Sequence, residues 1–140
     1  MSKFAALALE VDKPGRMTIV HPVSRQPLRD AEGKEAFVDL YSNDSEPARK
    51  HQRAVQRRRL AMRGRVKLTP EELEGEMVDL LAALTADWYL VDLAGRPIDV
   101  PFSQENAREL YGDAAVSWLR EQVDEFAGDR GNFSKASPKS

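Results

Sequence analysis

Thr69-Pro70-Glu71-Glu72 is the stretch that leaves this chain least choice. A threonine followed three residues later by glutamate forms a reciprocal capping box, and proline at the first helical position has the right φ and no amide hydrogen to leave unsatisfied. A helix therefore starts at Pro70. Glu71, Glu72, Glu74 and Glu76 crowd its N-terminal half, where the macrodipole favours carboxylates. Leu73, Met77, Leu80, Leu81 and Leu84, followed by Trp88, make the widest apolar stripe in the sequence, which predicts that this helix is the centre of the core.

A second helix is signalled just upstream. Ser42 to Ser45 is a polar cluster ahead of Pro47, so Asp44 or Ser45 caps a helix that runs to about Met62 or Arg63 before Gly64. Ala48, Val55 and Met62, seven apart and flanked by Ala54 and Ala61, give it a narrow seam, and almost everything around the seam is cationic. The 140 residues carry a formal net charge of −2, which conceals a segregation along the chain. Glu46 to Lys67 sums to about +8 and Thr69 to Arg130 to about −11. Such a charge dipole pairs the chain's own helices, presents a basic face to an acidic partner, or does some of each.

The N-terminal third reads as β-rich. Met1 to Glu10 is short and apolar and is expected to be extended, and Pro14-Gly15 turns the chain into Met17 to His21, a β-type run ended by Pro22. Arg25 to Leu28 is a candidate short strand, Asp30 to Lys34 a turn with Gly33 at positive φ, and Ala36 to Tyr41 a strand. A sheet this small must lean on helices. After the acidic helix, Trp88 to Leu93 and Ile98 to Phe102 around Ala94-Gly95-Arg96-Pro97 predict a hairpin.

That hairpin leads into Pro101 to Phe133. Ser103 caps a short helix with Ala107, Leu110 and Tyr111 on its apolar edge. Gly112-Asp113 breaks that helix and starts a longer one, with Val116, Leu119, Val123, Phe126 and Ala127 on one face and Trp118 off it. The fold expected is α+β: a small N-terminal antiparallel sheet (1–43), then a mainly helical part of about four helices with one short hairpin (44–131), and a disordered tail (132–140) apart from Phe133.

The chemistry of an enzyme is hard to assemble from these residues. His21 and His51 have no second ligand at metal spacing, and there is no glycine-rich phosphate loop, GxSxG elbow or HExxH helix. Asp124 and Glu125 are adjacent on a helix and point different ways. The expectation is a non-enzymatic protein without cofactor or metal. No run of about eighteen apolar residues and no signal-peptide pattern occurs, which predicts a cytoplasmic protein that does not cross a membrane.

Taken together, the FSxENA helix start at Phe102 to Ala107, Leu110-Tyr111, the WLREQV run from Trp118 to Val123, and the terminal Asp129 to Phe133 resemble the C-terminal part of tail assembly chaperones of siphophages and prophages. Asp44-Ser45, Arg49 to Arg59, the LTPEELE segment and Trp88 are similar to what precedes that motif in the same family. The resemblance runs from about Asp39 onward and is most specific between Phe102 and Phe133. It implies a protein that holds the long helical tape-measure protein soluble and recruits the major tail-tube protein in the host cytoplasm.

Candidate partner contacts follow from residues and resemblance together. Trp118 reads as satellite core over the hairpin or as an exposed anchor for an apolar helix, Phe126 as core, and Phe133 as a C-terminal docking residue. Asp129 and Arg130 would fix the helix exit by local pairing, and Arg120 joins Arg130 among the candidate cations. Arg53, Arg57, Arg58 and Arg59 form an electrostatic rim beside a groove between the acidic helix and the last helix. The same arginines support a different reading, a small nucleic-acid-binding or regulatory protein, although the helix lacks an aromatic for base stacking. A structural tail or connector component and a homo-oligomer also stay open.

Overall fold

The computed structural model describes residues 3–9, 12–62 and 68–133. It is an α+β protein in which a three-stranded antiparallel sheet packs against four helices. In chain order these are β1 (Gly15–Thr18), β2 (Phe37–Leu40), α1 (Glu46–Ala61), α2 (Pro70–Leu84), β3 (Thr85–Tyr89), α3 (Gln104–Gly112) and α4 (Ser117–Gly128). Among the described residues no helix is long and apolar enough to cross a membrane. The predicted disordered tail falls mostly on 134–140, outside the described residues; Asn132 and Phe133 belong to a 3-10 turn, Arg130–Phe133.

Sheet order is β1-β2-β3, with Met17 opposite Val38 and Val38 opposite Trp88. The third strand thus comes from beyond α2, not from the N-terminal third. It starts at Thr85, three residues before the predicted hairpin, because the chain leaves α2 straight into pairing with β2. The hairpin survives in reduced form: Ile98 N–H donates to the Leu90 carbonyl at 2.9 Å, Asp92 N–H to Arg96 at 2.8 Å, and Gly95 turns at φ 88°. The N-terminal strands are shifted too. β1 begins at Gly15, and the expected strand at Arg25 to Leu28 is a single bridge between Val20 and Pro27, made by His21 N–H to the Gln26 carbonyl and Leu28 N–H to the Ile19 carbonyl, 2.9 Å each. The expected extended start is a 3-10 turn, Ala5–Leu7, closed by its own local hydrogen bonds.

Every predicted helix cap is present. Ser45 accepts from Ala48 N–H, Thr69 and Glu72 form the reciprocal box, Ser103 accepts from Asn106 N–H, and Asp113 accepts from Ala115 N–H in the 3-10 turn before α4. The main core joins Met17, Ile19, Val38, Leu40, Trp88 and Leu90 of the sheet layer to Val78, Leu81, Ala107, Tyr111, Leu119 and Val123 of the helices. Trp88 lies edge-on to Phe102 and donates its indole N–H to the Val100 carbonyl at 2.9 Å.

The stripe on α2 is a finding against expectation. Its core face is Val78, Leu81 and Ala82, while Leu84 turns to α1 and clusters with Ala48 and Ala127. Leu73 and Met77 remain 52% and 41% exposed. Periodicity merges two faces here: positions 78, 81 and 82 turn to the main core, where α2 packs chiefly on α3, and 73, 77, 80 and 84 share the side that meets α1 at Leu84, where the seam of α1 offers only Ala48 and Val55 as buried residues.

Candidate functional site

The predicted C-terminal docking residues belong to the body of the protein. Phe133 is only 4% exposed and packs edge-on against the half-buried Phe126, ring centroids 5.7 Å apart. Space for the pair is made by Gly15, where a Cβ would lie 3.3 Å from both rings and from the Asn132 carbonyl. A docking role for Phe133 is therefore corrected to a core role, because burying an aromatic against a glycine-sized gap is worth more than leaving it in water. Trp118 is half-buried against the main core, which is the satellite position and not a free anchor.

Most of the candidate cations are occupied as well. Arg130 reaches past Asp129 to make two bonds with Asp44, at 2.7 and 3.1 Å, and this holds the Asp44 carboxyl below the ordinary carboxylate range. The expected local Asp129–Arg130 pairing is replaced by that contact, and Asp129 instead accepts from Gly131 N–H. Arg120 donates to the Tyr111 carbonyl at 3.2 Å and to Glu74 at 3.4 Å, tying α4 to the end of α3 and to α2. Arg53 pairs with Glu46 at 2.6 Å, in its own helix, and Arg59 crosses to Glu76 of α2 at 2.7 Å. Pairing of the basic and acidic helices is thus realised at Arg59–Glu76.

Arg57 and Arg58 are left. Both are exposed and make no ion pair among the described residues. They sit near the C-terminal end of α1, and the two helices run antiparallel, since Ala48 at the start of α1 clusters with Leu84 at the end of α2 while Arg59 meets Glu76. The same end of the pair carries Leu60, 78% exposed, together with Leu73 and Met77. These exposed apolar side chains, on different faces of α1 and α2 but at one end of the pair, together with arginines that make no ion pair among the described residues, are the surface best suited to hold another chain.

Sequence reasoning missed this apolar component. Leu60 could have been found: it falls five residues after Val55, more than a third of a turn off the seam, so it cannot share the buried face. Leu73 and Met77 could not, because their exposure depends on what α1 fails to cover. His21 is a loop residue, its Nδ1 accepting from Val23 N–H at 3.0 Å and Ser24 N–H at 3.2 Å. Among the described residues no group of three His, Asp or Glu side chains is placed to hold a metal ion. Comparison with known proteins finds no matching family model, no similar curated protein and no similar solved structure.

Proposed function

We propose that this chain is a non-enzymatic tail assembly chaperone of the siphophage and prophage type, acting in the host cytoplasm to hold a tape-measure protein and recruit major tail-tube subunits. The resemblance of Phe102 to Phe133 motivates the family. The observation that carries the binding role is the exposed Leu60, Leu73 and Met77 at the end of the α1/α2 pair that also carries Arg57 and Arg58, which make no ion pair among the described residues. A long amphipathic helical client needs its apolar face shielded, and an acidic flank on that helix would meet the arginines.

Magnitude favours reversible holding. Fully burying a Leu or Met side chain contributes about 1.5–3 kcal/mol, so the exposed parts of these three contribute about 3–5 kcal/mol together before the cost of association. That is too little for a permanent one-to-one complex. It suits many copies lining one long chain, each released as the tube polymerises.

The test is co-expression of the tagged full chain with the tape-measure and tube proteins encoded beside it, followed by nuclease treatment, capture and mass spectrometry. The expected result is recovery of both partners, with the tape-measure lost for a Leu60→Ser, Leu73→Ser, Met77→Ser variant of unchanged melting temperature. Recovery of neither partner, with nucleic acid present in the capture when nuclease is omitted and lost when it is added, would overturn the proposal.

A further inference from the structure

A second surface, independent of α1 and α2, lies where β1 meets α4. β1 is an edge strand, and its bonding parity can be worked out from one contact. Ile19 N–H donates to the Ala36 carbonyl in the β1–β2 register and its carbonyl accepts from Leu28 N–H on the same side, so Gly15 and Met17 point their backbone groups at β2. Arg16, Thr18 and Val20 therefore point theirs outward, off the sheet. At Val20 both outward groups are taken by one side chain: the Gln122 carboxamide accepts from Val20 N–H at 3.1 Å and donates to Val20 C=O at 2.8 Å.

That two-bond contact is the pattern an antiparallel strand would make at the same residue. Gln122 ends the free edge at Val20 and leaves the backbone groups of Arg16 and Thr18 open among the described residues. Beside this edge, reached through Met17 and Val20, lies a cleft of about 400 Å³ lined on its other side by Gln122, Glu125 and Phe126 of α4 and by Asp129 after it. Edge strands left this open usually carry a device against pairing, and here that device covers one position only.

Charge says what fits. Glu125 and Asp129, one turn apart on the wall of the cleft, make no ion pair among the described residues. Among the described residues Arg25 is the only cation lining the cleft, while Arg16 on β1 is already neutralised by Asp39 through bonds of 2.9 and 3.1 Å. Arg25 also holds a left-handed backbone, φ 64°, unusual for a residue with a side chain and of the kind found at ligand-facing loops.

We infer that the β1–α4 cleft docks an extended, basic segment of a partner polypeptide by strand addition: its backbone pairs with Arg16 and Thr18, and lysine or arginine at alternate positions meets Glu125 and Asp129. Gln122 sets the register by closing the edge at Val20.

The test uses a panel of eight-residue peptides alternating lysine or arginine with valine, isoleucine or threonine. Each has a twin that is N-methylated at the edge-facing amides and keeps the same side chains. Binding to the full chain is read by fluorescence anisotropy, and amide exchange by NMR. At least one peptide is expected to bind, with the Arg16 and Thr18 amides protected and the methylated twin inactive. Glu125→Gln with Asp129→Asn is expected to weaken that peptide at least fivefold. Thr18→Pro should abolish binding with only a small fall in melting temperature, since the amide it removes bonds nothing within the sheet and the one bond lost is that of the Thr18 hydroxyl to Glu35, 3.3 Å. The inference is overturned if no peptide binds at millimolar concentration, if a twin binds as well as its parent, or if protection appears on α1 and α2 instead.

Discussion

The buried hydroxyl pair of Tyr111 and Thr85 permits a prediction with a sign as well as a size. Their oxygens lie 2.8 Å apart, and the Thr85 hydroxyl is also 2.8 Å from the Leu81 carbonyl. A carbonyl cannot donate and threonine has one hydroxyl hydrogen, so Thr85 gives that hydrogen to Leu81 and Tyr111 must be the donor to Thr85. Tyr111→Phe leaves Thr85 still donating and idles one acceptor lone pair, which costs about 1 kcal/mol. Thr85→Val strands the Tyr111 hydroxyl in a site where the residue is 1% exposed, and strips Leu81 of its donor at the end of α2, where the Thr85 amide already serves Ala82. Two orphaned buried groups cost about 2–4 kcal/mol. Urea denaturation followed by circular dichroism should therefore rank Thr85→Val as the more destabilising change, with the double variant less destabilised than the sum of the two. The alkaline limb provides a second reading. Burial pushes the Tyr111 phenol up to about 12. Its contribution is complete below the ordinary tyrosine pKa of about 10 and is lost as pH rises towards 12, a fall of about 2–3 kcal/mol. Tyr111→Phe lacks that fall, so it should match and then exceed the parent's stability at about pH 11. A Tyr111→Phe penalty equal to or larger than that of Thr85→Val would reverse the donor assignment and refute the reasoning.

Two further predictions test the reassigned residues. Phe133→Ala should cost about 3 kcal/mol or more in chemical denaturation, because it empties a site shared with Phe126 and Gly15; an unchanged stability would return Phe133 to a surface role. Asp44→Asn should cost less than about 1 kcal/mol at neutral pH and low salt, since Arg130 is largely solvent-facing, with the difference fading in high salt. Because the Asp44 carboxyl is held below its ordinary range, that contribution is present above about pH 4 and lost on further acidification. A difference persisting at pH 2 would refute the pairing.

What was legible in the sequence and what was not separates by range. Ser45, Thr69 with Glu72 and Ser103 are capping chemistry completed within a few residues, so the sequence places the starts of α1, α2 and α3 to within a residue; Asp113 caps a 3-10 turn instead, and α4 starts later, at Ser117, with no side-chain cap. β3 was not legible in this way, because its existence depends on β2 lying alongside Thr85, Asp87, Trp88 and Tyr89, and nothing local to those residues says so. Phe133 follows no periodic pattern, and its burial depends on the missing side chain of Gly15 at the other end of the described chain. The candidate site failed in the opposite direction. Hydrophobic period places Leu73 and Met77 on a helix face but cannot say whether the neighbouring helix is wide enough to cover them, and a seam of Ala48 and Val55 is not. Natural selection for stability alone would replace such exposed residues with polar ones at little cost, since the stripe at Val78, Leu81 and Ala82 already anchors α2. Apolar residues in register with the core and yet outside it are what a chain needs if its task is to lend a hydrophobic surface to another. On that argument the exposed Leu60, Leu73 and Met77 of α1 and α2, and not the C-terminal aromatics, mark the place where a client would be held.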